Sequence, residues 1–486
     1  MATEEIICRH KTAIRRLEFS RPIQIALDSG LIRTDWTVLD YGCGKGDDLR
    51  GLSSRGVECW GWDPIYSPDS TIQDADVVNL GYVVNVIENI DERVRVLRKA
   101  WEHARKLLIV SARLSHEVKS NDFRPHGDGF LTTRGTFQKF YSQQELRDWI
   151  DHELSVISVA ASPGVFIIFR DEGIRQQFLS SQYRRKLIAP IVRKSDVLFE
   201  QYKGLLSKLS IFITERGRLP DDDEVDFAFE IKEKIGSLKR AFSVIRKVTG
   251  EEQWLKIIEE RSQDLLIHLA LQRFLGRPKF STLPKDIRLD IQSFFHSYEQ
   301  AWKRAEDLLF SAGNLENIDK ACRSAQCGKL TPDALYIHSS ALQLMPPILR
   351  IYEGCARNYV GAPEGANIIK LHRLKPKVSY LSYPDFDRDP HPSLHGALVV
   401  PLRDFDVKFW DWTSSDNPPI LHRKEEFVSD DYPFRDRFQR LTKQEEKAGL
   451  YEYPHTIGRR QQWSQLLADK KLRIVGHRLI KSHSSQ

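Results

Sequence analysis

The stretch Thr37 to Leu52, TVLDYGCGKGDDLRGL, constrains this chain more than any other. Val38 and Leu39 close an apolar run of strand character, Gly42, Gly44 and Gly46 make a turn, and Asp47 to Leu52 open a helix. A strand that passes through glycines into a helix is the first unit of a parallel sheet wrapped by helices. Positions without a Cβ let the main chain approach a ligand closely and take up positive φ. A second apolar strand, Glu58 to Trp62, ends at Asp63, 17 residues beyond Gly46. A carboxylate at that tip is placed to accept hydrogen bonds from both hydroxyls of a nucleoside ribose.

The spacing Asp40-x-Gly42-x-Gly44-x-Gly46 then selects among nucleosides. Dinucleotide sites use G-x-G-x-x-G, in which main-chain amides at a helix N-terminus meet a pyrophosphate. Here Asp40, Asp47 and Asp48 surround the turn, which would repel phosphate and tolerate the sulfonium and ammonium groups of S-adenosylmethionine. The expected cofactor residues are Asp40, Tyr41, Gly42, Cys43, Gly44, Gly46 and Asp47 from the turn, Asp63 and Pro64 from the second strand, and Leu80 and Gly81 from the third. Dinucleotide binding and a purely structural glycine turn are the alternatives. The third strand lies in Asp76 to Ile87, DVVNLGYVVNVI, and its end would face the transferred methyl group, making Asn79 and Asn85 the catalytic candidates. Only 12 residues separate Asp63 from Asp76, too few for a helix plus another strand, so the third-strand region is expected to be shortened and the adenine bounded by Pro64, Ile65 and Tyr66.

A helix (Glu92 to Arg105), a strand (Leu107 to Ser111), a helix (Gln143 to Leu154) and a hairpin (Val156 to Ala160, Val165 to Arg170) would complete the sheet as in a class I methyltransferase. The expected fold is therefore α/β: a Rossmann-like class I methyltransferase sheet over 1–171, an all-α domain over 172–362, and a mixed α+β domain over 363–486. With 41% apolar and 29% charged residues the chain buries a core and is not a disordered polymer. No apolar run approaches the roughly 18–20 residues of a membrane helix, and the start has no secretory signal, so a cytoplasmic protein with no membrane partner is expected. The six cysteines include no CxxC pair, which argues against a zinc ribbon or disulfide scaffold; no metal site is expected.

Together CRHKTAIRR, DYGCGKGDDLRGL, VVNLGYVVNVIE, LTTRGTFQKFY, SPGVFIIFRDE, GKLTPDALYIH, GANIIKLHR and PKVSYLSYPDFDRDPHP resemble the DNA phosphorothioation-associated methyltransferases, over nearly the whole chain. That family name denotes a genomic context rather than a reaction. The resemblance implies an S-adenosylmethionine-dependent methyltransferase acting on nucleic acid, DNA first, in bacterial DNA modification and defence, with phosphorothioation-system proteins as partners. An S-adenosylmethionine-binding sensor or scaffold of a restriction assembly, and an RNA methyltransferase, are the alternatives.

Several other features invite a function. Asn417-Pro418-Pro419-Ile420 approximates the [DN]PP[YF] signature of DNA amino-methyltransferases, with Ile420 in the aromatic position; the other reading is a Pro-rich turn. Asp385, Asp387, Asp389 and His391 crowd one loop, as a divalent-cation site or as a solvated turn. Basic groups that would suit a polyanion recur at Arg9, His10, Lys11, Arg15 and Arg16, at Arg113, Arg134 and Lys139, and at Arg184, Arg185, Lys186, Arg193 and Lys194. Lys+Arg 73 against Asp+Glu 67 leaves +6, which permits such a partner without requiring one. Phe123, Phe137, Phe140 and Tyr141 would offer stacking faces, and Ser115 to Arg134 would form a lid.

Overall fold

The computed structural model describes residues 7, 9–16, 18–118, 123–185, 187, 189, 190, 197–453 and 457–482. Cys8, the side chain of His10, Lys186, Arg193, Lys194 and four residues of the expected lid lie outside them. The first sheet is built from β1 (Val38–Tyr41), β2 (Cys59–Trp62), β3 (Ala75–Gly81), β4 (Ala104–Ser111), β8 (Val159–Ser162) and β9 (Val165–Phe169), in the order β2-β1-β3-β4-β9-β8. Strands β1 to β4 run parallel, β9 is antiparallel to β4, and β8 returns antiparallel to β9. All four residues of β1 are buried, as a strand covered on both faces requires. Chain order reverses at β1, which sends the chain to β2 on one side while β3 pairs on the other. A crevice beyond the carboxyl ends of the strands at such a switch point is where α/β sheets bind ligands.

Among the described residues no strand lies outside β2, so the passage from Asp63 to β3 is a loop and the shortened third-strand region is a real feature of this sheet. Helices α1 (Arg21–Asp28), α2 (Asp47–Ser54), α3 (Ile90–Glu102) and α4 (Gln143–Leu154) accompany it. Asn89 caps α3 by accepting from the Glu92 amide at 2.9 Å, and Ser142 with Glu145 forms a reciprocal capping box on α4. Leu39, Val78, Leu80, Leu108, Val110 and Phe166 form the centre of the core. The segment expected as a lid contributes β5 (Arg124–His126) and β6 (Gly129–Leu131), and β7 (Phe137–Gln138) completes a small three-stranded sheet with them.

The chain divides into two compact units, 172–314 and the rest. The first is helical: α5 (Glu172–Ser181), α6 (Val197–Gln201), α7 (Lys203–Arg216), α8 (Ala228–Ile235), α9 (Leu238–Thr249), α10 (Glu251–Gln272), α11 (Lys285–Phe295) and α12 (Tyr298–Ala312). Leu206, Leu209 and Ile213 are fully buried in its core. Residues 315–486 belong to the same unit as the first sheet. They supply α13 (Leu315–Arg323), α14 (Pro347–Val360) and an antiparallel meander of β10 (Lys329–Leu330), β11 (Ala334–His338), β12 (Ile368–His372), β13 (Lys377–Ser382), β14 (Gly396–Pro401) and β15 (Lys408–Asp411). Strands β10 and β11 interrupt the stretch expected to be all helix, because a five-residue strand leaves too little alternation to stand out against helical neighbours. Helix α14 packs on this sheet, with Tyr352 accepting from the Lys377 amide at 2.8 Å. The C-terminal tail holds α15 (Arg435–Lys447), α16 (Arg460–Asp469) and a hairpin of β16 (Leu472–Val475) and β17 (Arg478–Lys481).

The chain leaving α14 docks on the end of β8. The Ala362 amide donates to the Ala161 carbonyl at 3.0 Å, and the Ser162 hydroxyl donates to the Ala362 carbonyl at 2.8 Å. Gly361 sits at φ 76°, where an added Cβ would lie 2.5 Å from the Ser162 Cα and 2.6 Å from the Ala161 carbonyl carbon. Backbone cannot yield there as a flexible side chain would. Gly361→Ala should therefore cost about 2–4 kcal/mol, from strain plus a rigid collision. Chemical denaturation checks this, and an unchanged midpoint would show that the contact is not under this constraint.

Candidate functional site

The crevice lies beyond the ends of β1, β2 and β3 and has a volume of about 290 Å³. Its floor is the turn foreseen from sequence. Gly42 has φ 90°, and any Cβ there would collide with the Val83 side chain, so this position admits glycine alone. Gly46, at φ 69°, starts α2 in a left-handed conformation. Asp63 lies opposite. One carboxylate oxygen accepts from the Gly44 amide at 3.0 Å, and the other accepts from the amides of Ile65 and Tyr66, both at 2.9 Å. An ionised carboxylate has about four lone-pair positions, so these three bonds fix Asp63 while leaving it able to accept from a ligand. Tyr41, Cys43, Asp47, Pro64 and Gly81 also line the space, together with Ile65 and Tyr66. Burial, followed by the charges of Asp40 and Asp63, pushes the Cys43 thiol up to about 12 and keeps it protonated.

The remaining sequence candidates lie behind this wall. Asp40, Asn79, Leu80 and Asn85 are buried, and neither they nor Gly46 line the crevice. Asn79 donates to Asp40 at 2.8 Å, and Asn85 donates to Gln138 at 3.1 Å while its main-chain carbonyl accepts from the Lys139 amide. Both asparagines thus serve the protein's own polar groups, because their strand and turn positions direct them into the core. Burial raises the Asp40 carboxyl to about 7, with the neighbouring charge of Asp48 adding to the effect.

A short N-terminal strap, invisible to local pattern, forms the opposite wall. Arg9, Thr12, Ala13, Ile14 and Arg16 line the crevice from the side facing the glycine turn. Arg9 donates to Glu88 at 2.7 and 2.8 Å and to Glu92 at 2.6 and 2.8 Å, which ties the strap to the start of α3. At the other end Asp47 accepts from the Arg16 amide and Asp48 from the Ser20 amide, both at 2.7 Å. Asp47 also pairs with Arg15 at 3.5 Å and with Arg50. The acidic surplus around the turn is thus smaller than the number of carboxylates suggests. It holds the strap, and the basic residues read as polyanion contacts are in part its counter-charges.

Tyr82, like Val83, Val86, Ile87 and Val96, lines the crevice without having been foreseen as a site residue. It is not a glycine, yet it has φ 60° and is held there by its amide donating to the Ser111 carbonyl at 2.9 Å and to the Ser111 hydroxyl at 3.1 Å. Strained residues of this kind concentrate at functional sites. Arg16 and Arg21 lie close enough to its phenol to act on it electrostatically, and Arg16 acts likewise on Asp40.

The lid aromatics do not offer free stacking faces. Phe137 and Tyr141 are buried, and Phe123, Phe130 and Phe140 cluster on one another. Lys139 pairs with Asp128 and Glu145, and Arg113 with Glu117. In the C-terminal region Asn417 accepts from the Gln461 amide at the start of α16, while the Pro418 carbonyl accepts from the Arg460 amide, so this turn braces a helix. Three of the four residues in the acidic loop are likewise engaged, and Asp385 is exposed. Asp387 accepts from Tyr432, Asp389 pairs with Arg460, and His391 bonds Glu445 at 2.6 Å. Among the described residues no group of three or more His, Cys, Asp or Glu is arranged to hold a metal ion, and no helix is long and apolar enough to cross a membrane.

A mainly parallel sheet that reverses at β1, ends in an inserted antiparallel hairpin and carries a glycine turn facing an acidic strand tip defines the Rossmann-like class I methyltransferase fold. No family model matches the chain, and no curated protein does. Among solved structures it is similar to 1,6-didemethyltoxoflavin-N1-methyltransferase of Burkholderia thailandensis, solved with 1,6-didemethyltoxoflavin and S-adenosylhomocysteine bound; identity is 14%, over 31% of this chain and 76% of that chain, with a TM-score of 0.25. A SAM-dependent methyltransferase from Aquifex aeolicus is 17% identical over 33% of this chain and 95% of its own, with a TM-score of 0.24. The Pnkp1/Rnl/Hen1 RNA repair complex matches at 12% identity over 32% of this chain and 42% of that chain, with a TM-score of 0.23.

The Asp40 carboxyl generates a test of the site's electrostatics. Its folded pKa lies above its ordinary value of 3.8, so folding favours the protonated form. That contribution is complete below about pH 4 and is lost as pH rises through about 7. Asp40→Asn retains an oxygen to accept from Asn79 and removes the buried charge. The variant should melt close to the parent below about pH 4 and several degrees above it at pH 8; a difference that shrinks with rising pH would contradict this environment.

Proposed function

We propose that residues 1–171 bind S-adenosylmethionine and direct its methyl group to nucleic acid, with DNA in a phosphorothioation-linked modification system as the first candidate. The observation that carries the reading is Asp63, fixed by three main-chain amides across from a glycine turn whose Gly42 leaves no room for a Cβ. In this reading Asp63 accepts from the ribose hydroxyls, and Pro64, Ile65 and Tyr66 bound the adenine. Val83, Val86, Ile87 and Val96 contribute apolar wall. The main chain of Gly42 to Gly44 runs beside the amino acid moiety, and the Arg16 guanidinium supplies a cation for its carboxylate. Once bound, the sulfonium supplies an electrophilic methyl group. The protein's part is to align the acceptor atom in line with it and to exclude water, with the strap closing one side and Tyr82 at the end of β3 facing the acceptor. Asn79 acts through Asp40 and Asn85 through the β7 region, as positioning residues. The substrate assignment rests on the family resemblance and on the modest positive charge of the chain.

A second reading, a ligand sensor or scaffold, is favoured by one observation: Asn79 and Asn85, the polar groups anticipated beside the methyl group, are both committed to internal bonds. Transfer of a tritiated methyl group to phosphorothioated DNA, unmodified DNA and bulk RNA separates the readings. The proposal expects label in one nucleic acid, abolished by Asp63→Ala and by Gly44→Arg. Incorporation that survives both changes would remove the pocket assignment, and tight ligand binding without any transfer would favour the sensor. The strap adds a kinetic expectation. Arg9→Ala breaks its bonds to Glu88 and Glu92 and should speed S-adenosylhomocysteine release about tenfold, as the loss of partly buried, charge-assisted bonds worth about 1.5–3 kcal/mol implies. Stopped-flow displacement measures that rate, and an unchanged value would mean that the strap does not cover the ligand.

A further inference from the structure

In the helical unit α8 and α9 meet across two residues, Gly236 and Ser237. Gly236, at φ 104°, ends α8 with its amide donating to the Ile231 and Lys232 carbonyls at 3.2 and 3.0 Å. The Ser237 hydroxyl then caps α9 by accepting from the Arg240 amide at 3.1 Å. Ile231, Ile235, Leu238, Ala241, Ile245 and Val248 are buried in a core that this corner shares with α7 and α10. Two short helices joined by a glycine turn and braced by others form a helix-turn-helix arrangement. The outward face of α9 is basic throughout. Lys239, Arg240, Ser243 and Lys247 are exposed, Arg246 is half-buried, and no carboxylate occurs anywhere in Leu238–Thr249. Helix α8 balances its own charges, Lys234 with Glu230 and Lys232 with Asp222, and Arg246 pairs with Glu251 at 2.7 Å. Lys239 and Arg240 form no ion pair among the described residues, although they occupy the first turn of α9, where positive charge opposes the helix dipole and carboxylates are favoured.

We infer that α9 is a recognition helix for duplex DNA, entering the major groove with Lys239 and Arg240 on the flanking phosphates and Ser243 facing the bases. Its 12 residues make about 18 Å of helix, and a B-form major groove about 12 Å wide admits one. The major groove of A-form RNA is too narrow for that. A protein partner would need apolar anchors, and the exposed positions of α9 carry none. The phosphates supply the counter-charge that the fold withholds from Lys239 and Arg240, and the small Ser243 at the centre of the face permits close approach. The surface lies wholly within 172–314 and needs no methyl donor, so the inference goes beyond the methyl-transfer reading and stands or falls apart from it.

Fluorescence anisotropy of the full chain with a labelled DNA duplex, over a series of salt concentrations and without methyl donor, tests it. The wild type should bind with an affinity that falls steeply as salt rises. Changing Lys239→Ala and Arg240→Ala together should weaken binding about tenfold and lower the salt slope by about 2, because each lost phosphate contact removes about 1. Ser243→Glu, which sets a negative charge at the centre of the face, should weaken it by about as much. All three positions are exposed, so circular dichroism and S-adenosylhomocysteine titration should match the wild type in both variants. A wild type that does not bind the DNA duplex, that prefers an RNA duplex of the same sequence, or whose binding is undiminished in both variants would overturn the assignment.

Discussion

The crevice depends on acidic side chains being bonded by main-chain amides. Asp63 gathers three N–H groups from two segments, and Asp47 and Asp48 each take one from the strap. Carboxylates held in this way define the positions of the glycine turn, the loop after β2 and the N-terminal wall. Charge-assisted bonds of this kind are stronger than neutral ones, and each also removes a main-chain donor that would otherwise be left unbonded. Glycine's left-handed conformations let the turn bend tightly enough for its amide to reach Asp63. The ligand-sized space between these elements results from both features together.

Much of this was legible because it is local. The strand ending at Leu39, the glycines at alternate positions and the acidic residue at the end of the next strand each announce themselves within a few residues. The shortened loop between Asp63 and Asp76 could be read from length alone, and among the described residues the sheet accordingly has no strand beyond β2. What stayed hidden is long-range. Arg9 meets Glu88 and Glu92 across 79 and 83 residues, and no pattern near Arg9 distinguishes that pairing from an exposed basic cluster. Likewise Asn79 lies on the strand that leads toward the site and Asn85 in the turn after it, but their side-chain direction depends on Asp40 and Gln138, which come from elsewhere in the chain.

The same distinction explains the motifs that serve the architecture. Asn417-Pro418-Pro419 has the composition of a base-binding loop, yet its polar atoms are spent on the start of α16. The carboxylates of the 385–391 loop would suit a cation if they converged. They diverge instead to Tyr432, Arg460 and the His391–Glu445 pair, while the buried Lys424 amine donates to the Phe386 and Asp389 carbonyls at 2.7 Å. In each case residue types matched a chemistry and geometry decided against it.

The most direct measurement is a crystal structure of the chain with S-adenosylhomocysteine. The account predicts both ribose hydroxyls on the Asp63 carboxylate and the Gly42–Gly44 main chain alongside the amino acid portion. A crevice that remains filled by the strap, or a nucleoside seated away from Asp63, would contradict it.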